Sequence, residues 1–293
     1  MKKLTGIIFC LLIMTGCAEK EAEVAEVEPV ADTEVVEVEP VADTEVVEVE
    51  PVADTETAEE TVLLEYIWCD FGAGTTEEAM AALTAEFNEI TSTSAHKVSS
   101  AWGYIPSFEI DLYDAIWLNV WADQETRDLG WQEWGKNSAE AFQAKYDSVL
   151  KCDETKVFHF TGTAGPQPGE WTAEPPFQAE YQFCNYNEGM DSNNLKAVLS
   201  KFDAWVDAAA EQAGERGSYW YVHHDPLFDT ATAGGTAESY DYAIGNYWQS
   251  MEDKEAGYAG WTATNNGLQD EIEAVSTCQS FAMDGYPIVM PAS

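Results

Sequence analysis

EYIWCDF at residues 65–71 and EYQFCNY at residues 180–186 are two versions of one heptad, 115 residues apart. Both have Glu, Tyr and Cys at the same places and end on an aromatic ring. The first belongs to a longer apolar run, VLLEYIWCD, rich in aliphatic and aromatic residues. Such a run predicts a buried β-strand. The heptad therefore predicts the first strand of a unit that occurs twice.

Further matches follow the heptads in the same order in both halves. Phe87-Asn88 corresponds to Phe202-Asp203. The other pairs are YDAIWLNVW (113–121) with YDYAIGNYW (240–248), GWQEW (130–134) with GYAGW (257–261), and DSVLKC (147–152) with EAVSTC (273–278). The sequence therefore predicts a duplication, with one repeat at 61–162 and another at 177–293. Residues 163–176, rich in Gly and Pro, form the predicted linker.

Each half gives the predicted order β-α-β-β-α-β. In the first half, a capping box at Thr75-x-x-Glu78 opens a helix with an apolar stripe through Leu83 and Phe87. In the second half, a helix begins near Asp191. This order is that of the ferredoxin-like split βαβ unit. Two such units in one chain resemble the fused form of the dimeric α+β barrel superfamily. The resemblance implies an α+β fold, with two repeats forming a pseudo-dimeric barrel around a cavity in a monomeric chain.

The N-terminus has the features of an export signal. Lys2 and Lys3 precede an apolar run that is too short for a transmembrane helix. Met14-Thr15-Gly16-Cys17 resembles the lipobox of bacterial lipoproteins, although Met14 stands where Leu is usual. The resemblance implies a signal peptide at 1–16, lipid on Cys17 and attachment to the cell envelope. In a cell with two membranes, Ala18-Glu19 favours the outer membrane, facing the periplasm. The alternative is an ordinary signal peptide with an unrelated cysteine.

Residues 17–60 then carry an 11-residue repeat, EVEPVADTEVV, with proline in register in every copy. Proline breaks helical hydrogen bonding, which argues against a helical supercoil of this period. Residues 21–60 contain sixteen acids and no base, so we expect an extended, disordered stalk. The alternative is a binding role for the repeats.

Charge excludes one class of partner. The chain has a net charge of −41, and residues 61–293 alone have 37 acids and ten bases. A nucleic-acid interface needs a basic patch, which this composition does not supply. We therefore expect no nucleic-acid partner, and contact with a membrane only through the N-terminal lipid.

The four cysteines after residue 60 follow the repeat. Each half has one cysteine near the end of its first strand and one just after its last helix. In a ferredoxin-like sheet these two strands are antiparallel neighbours, so the resemblance implies the disulfides Cys69–Cys152 and Cys184–Cys278. An exported chain permits oxidation. A metal site is a poor alternative because no CxxC pair is present.

Strand alternation suggests which residues face the cavity. In the third strand of each half, one face is aromatic and polar, and we expect it to line the cavity. This face predicts the ligand-binding residues Tyr113, Trp117, Trp121, Tyr240, Tyr242 and Trp248, together with Asn119 and Asn246. An apolar wall with a few polar groups is typical of small-ligand pockets.

Glu65 and Glu180 are the charged members of the heptads. A carboxylate beneath a helix is costly without a partner, so we expect both to face the cavity as a pair. Two carboxylates in one apolar site separate their pKa values, an arrangement used for acid–base catalysis. The alternative is that each is tied to a neighbouring strand or solvated at the end of the sheet.

The adjacent histidines His223 and His224 could offer a general base or a ligand for metal or haem. Neighbouring strand residues point to opposite faces, however, so both cannot serve one site easily. We expect exposed or capping histidines here.

No GxSxG, HExxH, Walker or GxGxxG signature stands in a supporting context, so no cofactor is predicted. The first hypothesis is a non-enzymatic, lipid-anchored protein that binds a small organic molecule in its aromatic cavity or is purely structural. The alternative is a cofactor-independent enzyme of the monooxygenase or isomerase type, which members of the resembled superfamily include. It would use Asn119 or Asn246 with Glu65 or Glu180.

Overall fold

The computed structural model describes residues 61–172, 174–233 and 239–291. The predicted signal peptide, the lipidated Cys17 and the acidic stalk lie outside these residues. Among the helices described, none has both the length and the apolar character needed to cross a bilayer.

The first half contains four strands and three helices, and the second half repeats the same order. The elements of the first half are β1 (Thr61–Phe71), α1 (Glu77–Thr93), β2 (Ser100–Pro106), β3 (Ala115–Trp121), α2 (Gln124–Asn137), α3 (Ala139–Tyr146) and β4 (Leu150–Ala164). Those of the second half are β5 (Phe177–Tyr186), α4 (Ser192–Ala213), β6 (Trp220–Pro226), β7 (Tyr242–Trp248), α5 (Met251–Thr264), α6 (Leu268–Val275) and β8 (Ser276–Val289). A short 3-10 helix, Thr230–Thr232, follows β6.

The eight strands close into one antiparallel barrel in the order β1-β3-β2-β8-β5-β7-β6-β4. Two pairings join the halves: β2 with β8, and β4 with β6. The predicted mixed α+β class is confirmed, and so is a barrel. The barrel wall is one continuous sheet, because β2 and β4 each pair with a strand of the other half. The description of each half as a ferredoxin-like repeat stays a prediction.

Both predicted disulfides are present. Cys69 and Cys152 are directly opposite each other on β1 and β4, and Cys184 and Cys278 on β5 and β8. The barrel wall therefore carries one cross-link in each half, between antiparallel neighbours. The element order brings the cysteines together, as the sequence predicted.

Helix starts follow the predicted pattern with one correction. Asp191 caps α4, in a reciprocal capping box with Asn194. For α1 the cap is Thr76, whose hydroxyl accepts from the N–H of Ala79. The predicted cap, Thr75, instead donates its hydroxyl to the backbone oxygen of Gly72. The helix thus begins one residue later than predicted, and Thr76 caps it without a box, because the residue three positions on is Ala79 rather than Glu or Gln.

Three apolar clusters occupy the two faces of the barrel wall. The largest fills the interior with residues from both halves, including Tyr66, Trp68, Tyr181 and Tyr247. A second lies between the wall and α1–α3, and a third between the wall and α4–α6. The helices cover the outside, so β1 buries both its faces and β5 most of both, which is why the heptads form nearly continuous apolar runs.

Candidate functional site

The barrel interior holds a cavity of about 60 Å³ surrounded by aromatic rings. Tyr66, Tyr181, His224 and Met283 enclose its inner end and are buried. The remaining lining residues are Trp68, Tyr113, Ile116, Phe158, Phe160, Phe183, Ala233, Tyr240 and Ala243. Among the described residues that line this cavity there is no Asp, Glu, Lys or Arg. The interior is therefore an apolar space with a few neutral polar groups at one end.

A chain of hydrogen bonds crosses this inner end. The Nδ1 atom of His224 lies 2.9 Å from the carbonyl oxygen of Val222, which can only accept, so Nδ1 carries the proton. Nε2 then accepts from the hydroxyl of Tyr66 at 2.7 Å. The hydroxyl oxygens of Tyr66 and Tyr181 are 3.2 Å apart, as are those of Tyr181 and Tyr247. The tyrosines of both halves thus form one network that ends on His224.

Burial keeps every member of this network neutral. Desolvation lowers the pKa of His224 from 6.5 to about 3, although its hydrogen bond with Val222 acts in the opposite direction. Desolvation also raises the pKa values of Tyr66 and Tyr181 well above 10. At neutral pH the members of this network are hydroxyl groups and a neutral imidazole, and none of them carries a formal charge.

Strand alternation explains why only one of the adjacent histidines takes part. His224 points inward with Val222 and is 1% exposed. His223 points outward, where its ring lies 5.3 Å from that of Tyr242 and its Nδ1 is 3.5 Å from a carboxylate oxygen of Asp225. The expected opposite orientation is confirmed. The expectation that both are exposed or capping residues is wrong for His224, because the barrel closes around β6 on both sides.

Glu65 lies on the other face of the wall, against α2, and is fully buried. Its carboxylate accepts from the guanidinium Nε of Arg127 at 2.6 Å and from the indole N–H of Trp131 at 2.9 Å. The amide of Asn119 donates at 3.1 Å and the indole of Trp121 at 3.2 Å. A carboxylate with this many donors is satisfied on both oxygens.

These donors decide the charge state of Glu65. Burial by itself raises the pKa of the carboxyl. The hydrogen bond with His159, at 3.3 Å, and the positive charge of Arg127 outweigh burial and lower the pKa to about 2. Glu65 is therefore ionised at neutral pH and anchors α2 to the wall.

Glu180 has the corresponding place in the second half. Its carboxylate pairs with Nζ of Lys254 at 2.8 Å and accepts from the hydroxyl of Tyr258 at 2.7 Å. Both partners come from α5, as Arg127 and Trp131 come from α2. Asn246 accepts from the hydroxyl of Tyr219 at 2.9 Å and donates to the backbone oxygen of Glu180. Each half thus fastens a helix to the wall with a carboxylate and a cation.

The predicted cavity face is therefore wrong for most of its residues. Tyr113 and Tyr240 line the interior cavity. Trp117, Asn119 and Trp121 contact the helix side. The predicted residues of β7, Tyr242, Asn246 and Trp248, lie on the helix side as well. Ile116, Leu118 and Tyr247 point inward instead.

The same inversion separates the predicted carboxylate pair. Glu65 and Glu180 face α2 and α5 and do not meet in the cavity. The predicted alternation of side chains along the strands was right. The prediction that the glutamate face lines the cavity assumed that no cation from a helix would reach a buried Glu. Arg127 supplies that charge to Glu65, and Lys254 supplies it to Glu180.

Sequence reasoning missed Tyr66, Tyr181, Tyr247 and His224 as the polar groups of the interior. The two tyrosines of the heptads were a usable signal, because they repeat as faithfully as the glutamates beside them. A second signal was the cation six residues after each strand tryptophan: Arg127 after Trp121, and Lys254 after Trp248.

The described residues offer little to a metal or a large cofactor. They contain no group of three or more His, Cys, Asp or Glu side chains arranged to hold a metal ion. The interior cavity of about 60 Å³ does not fit a haem, and Nε2 of His224 is bound to Tyr66. The haem ligand considered for this histidine pair is not compatible with this geometry.

Comparisons with known proteins give structural likeness only. No protein-family model and no curated protein matches the sequence. Among solved structures, a mutant chlorite dismutase from Candidatus Nitrospira defluvii in complex with cyanide is 11% identical. The match covers 78% of this chain and 91% of that one, with a TM-score of 0.46. An anthrone oxidase-like protein is 12% identical. That match covers 81% of this chain and 97% of the other, with a TM-score of 0.41. Likeness of this size carries no inference about function, which has to come from the residues of this chain.

Proposed function

We propose that this protein is a lipid-anchored protein of the cell envelope whose barrel binds a small, neutral, mainly apolar molecule. In this proposal the two halves are ferredoxin-like repeats that together make a monomeric pseudo-dimer. The acidic repeats at 17–60 act as a stalk between the lipid and the barrel.

The interior cavity carries the proposal. Its walls are ring faces, and its inner end presents the hydroxyl oxygen of Tyr66, which is oriented by its hydrogen bond to His224. Small-molecule sites commonly combine apolar walls with a few converging polar groups that orient the ligand. Tyr66 and His224 are held by hydrogen bonds on both sides, so the site is preorganised.

Volume and charge limit the ligand. A cavity of about 150 Å³ accommodates benzene, so 60 Å³ takes a molecule of a few non-hydrogen atoms or the end of a longer one. Phe158, Phe183 and Tyr240 line the cavity and are only partly buried, which gives a longer molecule a path toward solvent. A charged ligand is disfavoured because none of the described residues that line the cavity supplies an ionised partner.

The enzyme alternative has less support. Its candidate residues Glu65, Asn119, Glu180 and Asn246 lie on the helix side of the wall and are engaged there. Inside the barrel, the lowered pKa of His224 and the raised pKa of Tyr66 make both groups poor at exchanging protons near neutral pH. Binding without chemistry is the better account of this interior.

Ligand extraction tests the proposal directly. The protein is purified from its own cells, denatured in organic solvent, and the released compounds are identified by mass spectrometry. We expect one small neutral compound in the wild type, and its loss in Ala243→Val. That substitution places two methyl groups into the cavity, and the strand accepts a β-branched residue.

Ala282→Val is the matched control. It makes the same change in β8 at a residue paired with Glu180, next to the inward-facing Met283 and therefore on the opposite face. The control should keep the ligand. If wild type releases no compound and Ala243→Val only stabilises the fold, the interior is a packed core and the proposal is wrong.

A further inference from the structure

A second pocket lies outside the barrel wall, between α1 and α2, with a volume of about 120 Å³. Its walls are the rings of Phe87, Trp121, Trp131 and Trp134. The ring centroids of Trp121 and Trp131 are 6.1 Å apart, and those of Trp131 and Trp134 are 6.2 Å apart at an angle of 86°. The rings therefore meet at angles, as the sides of a box do, rather than stacking in parallel. We call this pocket the tryptophan box.

Two sides of the box are fixed in place by Glu65. The indole N–H groups of Trp121 and Trp131 both donate to its carboxylate. Gly130 allows close approach on the same side, because a Cβ there would stand 2.8 Å from the Trp121 ring and 2.9 Å from the backbone oxygen of His96. The ring positions are thus set before any ligand arrives.

The described residues that line the box include one carboxylate, Glu133, and no Lys or Arg. Glu133 accepts from the hydroxyl of Ser94 at 2.7 Å and from the N–H of Ala95 at 3.2 Å, which holds it at the rim. These bonds, with that of Ser94 the largest influence, lower the pKa of Glu133, so the rim is negative at neutral pH.

The second half shows what fills the corresponding space there. Trp205 follows Phe202 on α4 by three residues, as Ile90 follows Phe87 on α1. The indole of Trp205 packs against Phe202 and Trp261, with centroid distances of 5.8 and 4.7 Å. Ile90 lines the box but is smaller than an indole. The box is open because the first half has isoleucine where the second has tryptophan.

We infer that the tryptophan box binds a small quaternary ammonium cation. Aromatic faces attract cations through their quadrupole, and cages of such rings are the usual recognition element for methylated ammonium groups. Glu133 adds a full negative charge at the rim, and the net charge of −41 attracts cations toward the whole surface. A methylated cation has no N–H to satisfy, which suits walls that offer ring faces rather than acceptors.

Isothermal titration of the folded full-length protein with choline, tetramethylammonium and the neutral isostere dimethylbutanol tests the inference. We expect both cations to bind, and the isostere to bind about tenfold or more weakly, because it keeps the shape and loses the charge. Equal affinity for choline and dimethylbutanol, or no heat from either cation, would overturn the inference.

Two variants locate the site. Ile90→Trp copies the arrangement of the second half and should abolish cation binding. Glu133→Gln keeps an oxygen acceptor for Ser94 and Ala95 but removes the charge. It should lower the affinity for choline by about fivefold or more and leave the affinity for dimethylbutanol unchanged. Choline affinity that is unaffected by both variants would place the cation elsewhere and refute the assignment. If Ile90→Trp fails to fold, the affinities of Glu133→Gln and the comparison of choline with dimethylbutanol still show whether the box binds the cation.

Discussion

At the scale of single residues, Glu65 shows how this chain tolerates a charge beneath a helix. A buried carboxylate is costly unless it is paired and fully hydrogen-bonded. Arg127 supplies the charge, and Asn119 and two indole groups supply further donors. Glu65 therefore orients its neighbours, including two walls of the tryptophan box, while taking no part in the interior.

Glu65→Gln should lower the free energy of unfolding at pH 7 by about 3 kcal/mol. This is the free energy that corresponds to the lowering of the Glu65 pKa from 4.5 to about 2. The folded pKa lies below the unfolded one, so this stability is present above about pH 4.5. It is lost as the pH falls through the window toward 2. Denaturant titrations followed by tryptophan fluorescence should show the gap between variant and wild type closing across that window.

Glu180→Gln is the matched control, because it makes the same change at the corresponding place of the second half. Glu180 is partly exposed and its carboxylate contacts Lys254 and Tyr258, a smaller set of partners. Glu180→Gln should therefore lower the free energy of unfolding by less than Glu65→Gln does. Equal losses would show that the extra donors around Glu65 contribute nothing.

His224 gives a second pH-dependent prediction at this scale. Its folded pKa of about 3 lies below the ordinary 6.5, so between these values the unfolded chain binds a proton that the folded protein does not. Stability should fall by about 4–5 kcal/mol as the pH drops from 6.5 toward 3. His224→Phe should remove that part of the slope, measured by denaturant titration at several pH values. An unchanged slope would mean that His224 is protonated in the fold.

At the scale of elements, α2 is held close to the wall over one part of its length only. Gly130 faces the Trp121 ring and the His96 carbonyl, whereas a Cβ at Gly135 meets nothing within 4 Å. Both glycines lie in the same helix, so helix propensity favours alanine equally at both. Contact alone distinguishes them.

Gly130→Ala should therefore destabilise the protein by about 1–3 kcal/mol, because the helix or Trp121 must move. Gly135→Ala should stabilise it by about 0.5–1 kcal/mol through helix propensity. Thermal unfolding of the two variants checks both signs. Stabilisation by both substitutions would show that α2 is not pressed against Trp121.

The disulfides act at the same scale, each between two neighbouring strands. Cys69 and Cys152 are 83 residues apart, and Cys184 and Cys278 are 94 apart. Because loop closure depends weakly on length, replacing either pair with alanine should cost a similar amount, about 4–5 kcal/mol in the chain-entropy model. Chemical denaturation of the two double variants measures this. A large difference between them would point to structure remaining in the unfolded chain.

At the scale of the whole molecule, barrel closure joins the halves into one core. The β2–β8 and β4–β6 pairings leave no free sheet edge in the described barrel, and the interior network runs from Tyr66 in one half to Tyr247 in the other. Neither half has a complete interior by itself. The cavity and its polar end therefore exist only when both halves are assembled.

The proposed anchor is also a property of the whole molecule. Cys17→Ser should move the protein from the membrane fraction to the soluble fraction and abolish its labelling by a palmitate analogue in growing cells. A deletion variant that keeps Cys17 but lacks residues 21–60 should stay labelled and in the membrane fraction. Labelling that persists in Cys17→Ser would remove the lipid anchor from the proposed function.

The sequence alone determined the local and periodic features. The repeated heptads predicted two copies of one strand, and the symmetric cysteines predicted both disulfides. Strand alternation separated Glu65 from Tyr66, and His223 from His224. These follow from short-range geometry, which a single sequence carries.

The tertiary structure decided which face of each strand is inside. Both faces of β1 are buried, one under helices and one in the interior, so hydrophobicity could not choose between them. The choice depended on Arg127, which reaches Glu65 from a helix, and on tyrosines from both halves meeting around His224. The tryptophan box likewise depends on α1 and α2 lying side by side. Such contacts join residues far apart in the chain, and only the packed fold brings them together.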